Sequence, residues 1–253
     1  MKPSIRVSQN FLTSKKTINR LINCADITKN DDVIEIGPGK GHITDVLLKK
    51  CRNVSAIELD GKLYGRLLAK YDGVKNIKLY NQDFLKWRLP DSGNYKVFAN
   101  IPFAITSAII KKLTQNKNPP QDAWLVMEKG AAKRFCGKPS DSLQSLLLRP
   151  FFDLNIIYYL RREDFHPAPS VDVVLLHISQ KAEPDILISE QKLYRHFVSH
   201  VIKFGLFGKQ ALLTKHQVST ALRLAKLNPI TASGEILYIQ WLCLFRCWKN
   251  KSY

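Results

Sequence analysis

The sequence predicts an α/β fold: a doubly wound, seven-stranded sheet followed by a small all-helical C-terminal domain. Three observations carry this. Seven short runs rich in Val, Ile and Leu recur between residues 33 and 178, helix-like stretches separate the early ones, and after Ile178 the β-rich runs cease. Runs with little polar alternation are what parallel strands covered on both faces look like, and their alternation with helices marks a doubly wound sheet.

In order, the runs are VIEIG (33–37), VSAIELD (54–60), IKLYNQD (77–83), YKVFANI (95–101), AWLVME (123–128), LNIIYYL (154–160) and VDVVLLHI (171–178). The polar segment SQKAEPD follows. Beyond it the chain predicts three helices: Glu190 to Phe204 around a Leu/Phe/Val stripe, Lys215 to Leu227 stopped by Asn228-Pro229, and Ser233 to Trp248. A boundary near 178–186 gives domains 1–180 and 181–253. No internal repeat or low-complexity tract is present.

The 253 residues carry 39 Lys and Arg against 21 Asp and Glu, a net charge of +18, with 45% hydrophobic and 24% charged residues. Those fractions are ordinary for a globular chain, so the charge does not come from a disordered basic tail. It points to a polyanionic partner. The helical domain holds 11 basic and 4 acidic residues and the larger domain 28 and 17, so neither owns the excess. The longest apolar stretch, Ile236 to Phe245, is ten residues interrupted by Gln240, and a spanning helix needs about 20. The N-terminus MKPSIRVSQNF has no apolar leader core. A cytoplasmic, monomeric protein without membrane contact is expected.

Five cysteines without a C-x-x-C pair support neither a disulfide framework nor a zinc ribbon. Cys243/Cys247 and His196/His200 are each four apart, which puts each pair on one helix face. H-F-V-S-H lacks the glutamate of a zincin motif, and the cysteines sit in an apolar run, so no metal is expected.

The sequence E-I-G-P-G-K-G (35–41) directly follows the first run. Glycines there let the backbone turn tightly and approach a ligand. The spacing is G-x-G-x-G, and Pro38 removes an amide that a pyrophosphate would need, so a dinucleotide is disfavoured. The second run ends at Glu58, where an acid accepts from a ribose diol, and the third leads to Asp83, placed to accept from an adenine amine. Glycine turn and two carboxylates at the ends of successive strands predict S-adenosylmethionine (SAM) as cofactor, on a Rossmann-like sheet.

The fourth run ends in Asn100-Ile101-Pro102-Phe103. Adenine N6 is a poor nucleophile because its lone pair is delocalised into the ring. The Asn100 side-chain carbonyl and the Ile101 main-chain carbonyl can accept both N6 hydrogens and favour a pyramidal nitrogen. Pro102 sets the turn, and Phe103 offers a flat face to an extruded base. A general base at His42 or His166 is not needed, because a methylated, cationic N6 loses its proton readily.

With these residues in view, the chain resembles the Erm-type rRNA adenine N6-methyltransferases, and more broadly the family that includes the 16S rRNA dimethyladenosine transferases. The resemblance rests on S-Q-N-F-L-T-S (8–14), E-I-G-P-G-K-G-H (35–42), A-I-E-L-D (56–60), N-Q-D-F (81–84), N-I-P-F (100–103), E-K-G-A-A-K-R (128–134) and R-E-D-F-H-P-A-P-S-V (162–171). The opening S-Q-N-F, the N-I-P core and F-H-P-x-P resemble the Erm branch, whose substrate is 23S rRNA. The resemblance implies SAM contacts at Asn10, the Leu12 main chain, Gly37, Glu58, Asp83 and Asn100. It implies stacking on the target adenine by Phe103 and a pocket wall at Phe165. Many members have Tyr where this chain has Phe103, so no phenol takes part. Gln9 and Asn10, by themselves a loop or N-cap pair, become cofactor residues by the same likeness.

Lys133, Arg134, Arg161 and Arg162, with Lys15, Lys16, Lys129 and Lys138, are the candidate phosphate contacts. The resulting expectation is methyl transfer by in-line displacement from SAM to N6 of one flipped adenine in 23S rRNA, conferring resistance to macrolide, lincosamide and streptogramin B drugs. The alternatives are 16S rRNA dimethylation in ribosome maturation and a non-catalytic SAM-fold RNA-binding factor. The latter would show a damaged catalytic motif, and N-I-P-F is intact.

Overall fold

The computed structural model describes residues 10–231 and 234–250. Ser8, Gln9 and Ser233, named above, lie outside the described residues. Two compact units emerge: residues up to Ala132 with Asp153–Gln180, and Lys133–Phe152 with residues from Lys181 onward. The sequence predicts one boundary, at 180/181. The contacts divide the chain also at 132/133 and 152/153, because the helical segment 133–152 packs with the C-terminal helices.

In the first unit, β1 (Phe11–Leu12) precedes α1 (Lys15–Cys24). The Ser14 side chain caps α1 by accepting from Thr17 N, and Ile18, Leu21 and Ile22 are its buried stripe. Then come β2 (Asp32–Ile36), α2 (Thr44–Lys50), β3 (Asn53–Glu58), α3 (Gly61–Lys70), β4 (Ile77–Asn81), β5 (Lys96–Asn100), α4 (Thr106–Thr114) and β6 (Asp122–Glu128). Asp60 caps α3, accepting from Lys62 N and Leu63 N.

α5 (Lys129–Phe135) leads into the second unit, where α6 (Leu143–Leu148) has a capping box at Ser142. β7 (Phe152–Leu160), β8 (Phe165–His166) and β9 (Val173–Gln180) complete the first unit's strands. The seven-stranded sheet has the order β4-β3-β2-β5-β6-β9-β7, and β1 pairs with β8 in a separate two-stranded ribbon.

The four pairings among β4, β3, β2, β5 and β6 are parallel, and β9 runs antiparallel to β6 from Asp122↔Ser179 to Glu128↔Val173. The sheet is therefore mixed rather than wholly parallel. Residues 161–172, between β7 and β9, hold only a single helical turn and β8. No crossover helix is available there to keep β9 in the common direction. β7 sits at the sheet edge and alternates between buried or half-buried and exposed positions, as an edge strand does.

The core of this unit includes Leu21, Leu47, Phe98, Trp124, Val126 and Leu175. The parallel register carries Glu58, Asn81 and Asn100 to one edge of the sheet. Outside the carboxyl ends of such strands is where open α/β sheets bind ligands.

The second unit's remaining helices are α7 (Gln191–Phe204), α8 (Lys215–Leu224) and α9 (Tyr238–Lys249). Tyr194, Phe197 and Phe245 form its aromatic centre, with ring centroids 5.1 Å (Tyr194–Phe245) and 5.9 Å (Phe197–Phe245) apart. The last helix begins five residues later than its hydrophobicity predicts. Gln240 Oε1 accepts from Leu237 N and sets the start there. Among the described residues, no helix is long and apolar enough to cross a membrane, and no group of three His, Cys, Asp or Glu could hold a metal. Cys24, Cys51, Cys243 and Cys247 are free thiols.

Candidate active site

A cavity of about 600 Å³ opens at the carboxyl ends of the parallel strands, bounded by Gly37, Glu58, Asp83, Asn100 and Phe103 together with Asn10 and Phe11. Its floor is the turn after β2. Gly37 N donates to Ile57 O at 2.9 Å, and Gly39 N donates to Glu58 Oε2 at 3.0 Å. Glu58 Oε1 accepts from Asp60 N at 2.9 Å. One carboxylate thus ties the glycine turn to the start of α3. Glu58 is only 3% exposed, and burial raises its pKa against the pull of these amides. An ionised carboxylate has about four lone-pair sites, so two remain for a diol.

Gly39 has φ +59° in the left-handed region, and a Cβ there would lie 2.7 Å from Phe11 Cε1. The absent side chain is what lets the Phe11 ring cover the turn, with Lys40 Nζ 5.1 Å from its centroid. Gly39→Ala is expected to cost about 1–2 kcal/mol of stability and to weaken SAM binding about tenfold or more, read by melting and calorimetric titration. Unchanged affinity would remove Phe11 from the site.

Beneath the turn, Glu35 is 1% exposed, and neither carboxylate oxygen has a hydrogen-bond partner. Burial pushes its pKa up to about 8, with Thr44 nearby lowering it somewhat and Asp45 and Glu58 adding repulsion. The folded protein therefore keeps a proton that the unfolded chain loses above its ordinary value of 4.5. Stability from this group falls as pH rises from about 4.5 to about 8 and is level beyond. Glu35→Gln should leave stability near pH 4.5 little changed and raise it by a few kcal/mol at pH 8.5, measured by urea unfolding. Parallel pH profiles for the two proteins would overturn this assignment.

Asn100, at the end of β5, donates from Nδ2 to the main-chain oxygen of Asn10 at 2.8 Å. That bond identifies which end of the amide is nitrogen and leaves Oδ1 as the acceptor. Ile101 continues the strand pairing, its N donating to Val126 O at 3.1 Å, and is 2% exposed. Pro102 enters a single helical turn, Phe103–Ile105, with Ile105 N donating to Pro102 O at 3.1 Å. Phe103 is half-buried: it lines the cavity while packing on the core behind it. Asp83 uses Oδ1 to accept from Leu85 N at 2.9 Å, which orders the turn after β4.

Two expected residues stand elsewhere. Leu12 and Phe165 face each other across the β1–β8 ribbon and are buried in the core, and neither lines the cavity. Phe165 is therefore not the wall of this cavity. Side chains alternate along a strand, so the inward pair is Leu12 and Phe165, and their neighbour Phe11 faces the cavity instead. Phe11 is a cavity residue that no local signal in the sequence marks, because the inward face of β1 is set by its pairing with β8. Phe84 and the Asp60-Gly61 start of α3, which the motifs do not single out, also line the cavity. His42 and His166 do not line it, and burial lowers the His42 pKa. Lys133 and Arg134 are exposed on the last turn of α5 in the second unit, and Arg161 and Arg162 are exposed in the first. Arg161 Nη1 pairs with Glu163 Oε1 at 3.2 Å, and Arg162 Nη2 donates to Ser170 O at 3.2 Å.

A glycine turn, a buried carboxylate, a second acid and N-I-P-F, at the ends of adjacent parallel strands, define a SAM-dependent methyltransferase site. The pocket size and donor set fit that cofactor. The family described as "Ribosomal RNA adenine dimethylase" matches residues 2–224, and the chain belongs to that family. It is an rRNA adenine N6-methyltransferase that uses SAM. It is 35% identical over 248 residues to an rRNA adenine N-6-methyltransferase of Lysinibacillus sphaericus, covering 98% of each chain. A relative of that description from Escherichia coli is 34% identical over 97% of this chain and 96% of its own. Among solved structures, the 23S rRNA methyltransferase ErmE superposes with a TM-score of 0.83 at 28% identity, covering 95% of this chain and all 100% of that one. A dimethyladenosine transferase from Plasmodium falciparum shares the fold, with a TM-score of 0.74 at 21% identity over 96% of this chain and 98% of its own.

Proposed function

We propose that the protein methylates N6 of one specific adenine in 23S rRNA and so confers resistance to macrolide, lincosamide and streptogramin B antibiotics. The observation that carries this is the end-to-end likeness to ErmE, joined to the S-Q-N-F opening and the N-I-P core. A ribosomal substrate makes the cytoplasm the site of action.

The protein's own groups supply positioning. Glu58 and Asp83 would hold the ribose and adenine ends of the cofactor, and Asn10 and Gly37 would border it. When bound, SAM supplies an electrophilic methyl group. Asn100 Oδ1, oriented because Nδ2 is committed to Asn10 O, accepts one N6 hydrogen of the target base. The Ile101 carbonyl accepts the other. Both bonds strengthen as N6 becomes pyramidal, which is the interaction that lowers a barrier. Phe103 stacks on the flipped base. Lys133, Arg134, Arg161 and Arg162, all exposed, would hold phosphates.

Incubation with labelled SAM and protein-free 23S or 16S rRNA, followed by mapping of the modified base, tests the reading. Label on one 23S adenine is the expected result. Label on 16S rRNA alone would replace it with the ribosome-maturation reading, and label on neither with the non-catalytic factor. Expression in a drug-sensitive bacterium should raise the inhibitory concentration of a macrolide.

A further inference from the structure

Residues 191–234 contain seven Lys and Arg, three His and no Asp or Glu, in a chain that averages about one acid per twelve residues. In the fold this stretch is α7, α8 and their connection. α7 buries Tyr194, Phe197, Val198 and Val201 on one side. Lys192, Arg195 and Lys203 are exposed. Past the helix end the chain turns at Gly205, φ +82°, and Leu206 returns to the interior at 8% exposure. Phe204 and Phe207 stand out at 40% and 44%. Lys209 follows, exposed.

The corner is pinned. His200 Nε2 donates to Gln210 O at 2.7 Å, Gly205 N donates to Val201 O at 2.8 Å, and Ala211 N donates to Gly208 O at 3.2 Å. The His200 ring lies 4.7 Å from that of Phe204, and Lys203 Nζ lies 4.9 Å from the Phe204 centroid. With two residues between them, the two phenyl-bearing Cα atoms are at most about 11 Å apart, a span that successive unpaired bases can cover.

We infer that this α7–α8 corner is a second RNA-contact surface, which takes an unpaired segment of the rRNA by stacking on Phe204 and Phe207 while Arg195, Lys203 and Lys209 hold its phosphates. Exposed aromatics between cations are how single strands are bound without sequence readout. The lack of any acid over 44 residues matches a polyanion and opposes a second copy of this chain, which would set cation against cation. The inference rests on an rRNA substrate and is indifferent to which subunit supplies it.

The test uses the full chain, protein-free 23S and 16S rRNA, and filter binding over a salt series. Phe204→Ser with Phe207→Ser should raise Kd about tenfold or more with the salt slope retained. Lys203→Gln with Lys209→Gln should flatten the slope by about 1.5. Phe204→Tyr with Phe207→Tyr should keep wild-type affinity, which separates stacking from misfolding, and melting curves check each variant. Methylation assays should show the loss in KM for RNA. Unchanged Kd in both pairs overturns the inference while wild-type methyl transfer stands. A dimer in sedimentation that the Ser pair dissolves, with RNA affinity intact, assigns the surface to a second copy and overturns it too. A wild-type protein that binds neither rRNA overturns this inference and the substrate reading together.

Discussion

Asn100→Ala is expected to lower methyl transfer by at least about 10²–10³-fold while rRNA affinity changes less than about twofold. Truncation removes the Oδ1 acceptor proposed to meet the target N6. It also frees Asn10 O from its 2.8 Å bond to Nδ2, so SAM affinity should drop as well. Asn100→Asp separates the two effects: it keeps acceptor oxygens, yet a carboxylate cannot donate to Asn10 O. The Asp variant should bind SAM as weakly as the Ala variant but keep more transfer than it at saturating SAM. Single-turnover transfer, SAM titration and RNA binding on the three proteins measure this. Full activity in the Ala variant would sink the proposed role of the N-I-P-F turn.

The second large effect is expected at Glu58. Glu58→Ala leaves Gly39 N and Asp60 N without their buried acceptor. Each unpaired amide costs about 1–3 kcal/mol, so a stability loss of about 2–6 kcal/mol is expected. Loss of the proposed ribose acceptor should weaken SAM by about a hundredfold, which converts to roughly 2.7 kcal/mol. Glu58→Gln retains one acceptor oxygen and should fall between. Asp83→Ala should cost less in stability, since Asp83 Oδ1 orders only its own turn at Leu85 N. Equal stability losses at the two sites would contradict the view that Glu58 ties the glycine turn to α3.

Much of the site was legible because its residues follow strand ends. A parallel strand that ends at Ile36, Glu58, Asn81 or Asn100 presents its next residue to the same edge, so local β-rich runs located the glycine turn, Glu58, Asp83 and Asn100 together. Phe165 and Phe11 were not legible. Which of two neighbours on a two-residue strand faces inward depends on its partner, and β1 pairs with β8 more than 150 residues away in sequence. The bond from Asn100 Nδ2 to Asn10 O is equally non-local.

What the sequence by itself determined is the seven strands of the main sheet, the glycine turn after Ile36 and the placing of N-I-P-F at a strand end, all properties of short segments whose backbone and side-chain demands are local. Only the tertiary structure decided that β9 inserts antiparallel, that Phe11 covers Gly39, that Glu35 is buried without a partner, and that Phe204 and Phe207 stand out beside cations. Each of those depends on which distant surfaces meet, and exposure or desolvation exists only once they have met.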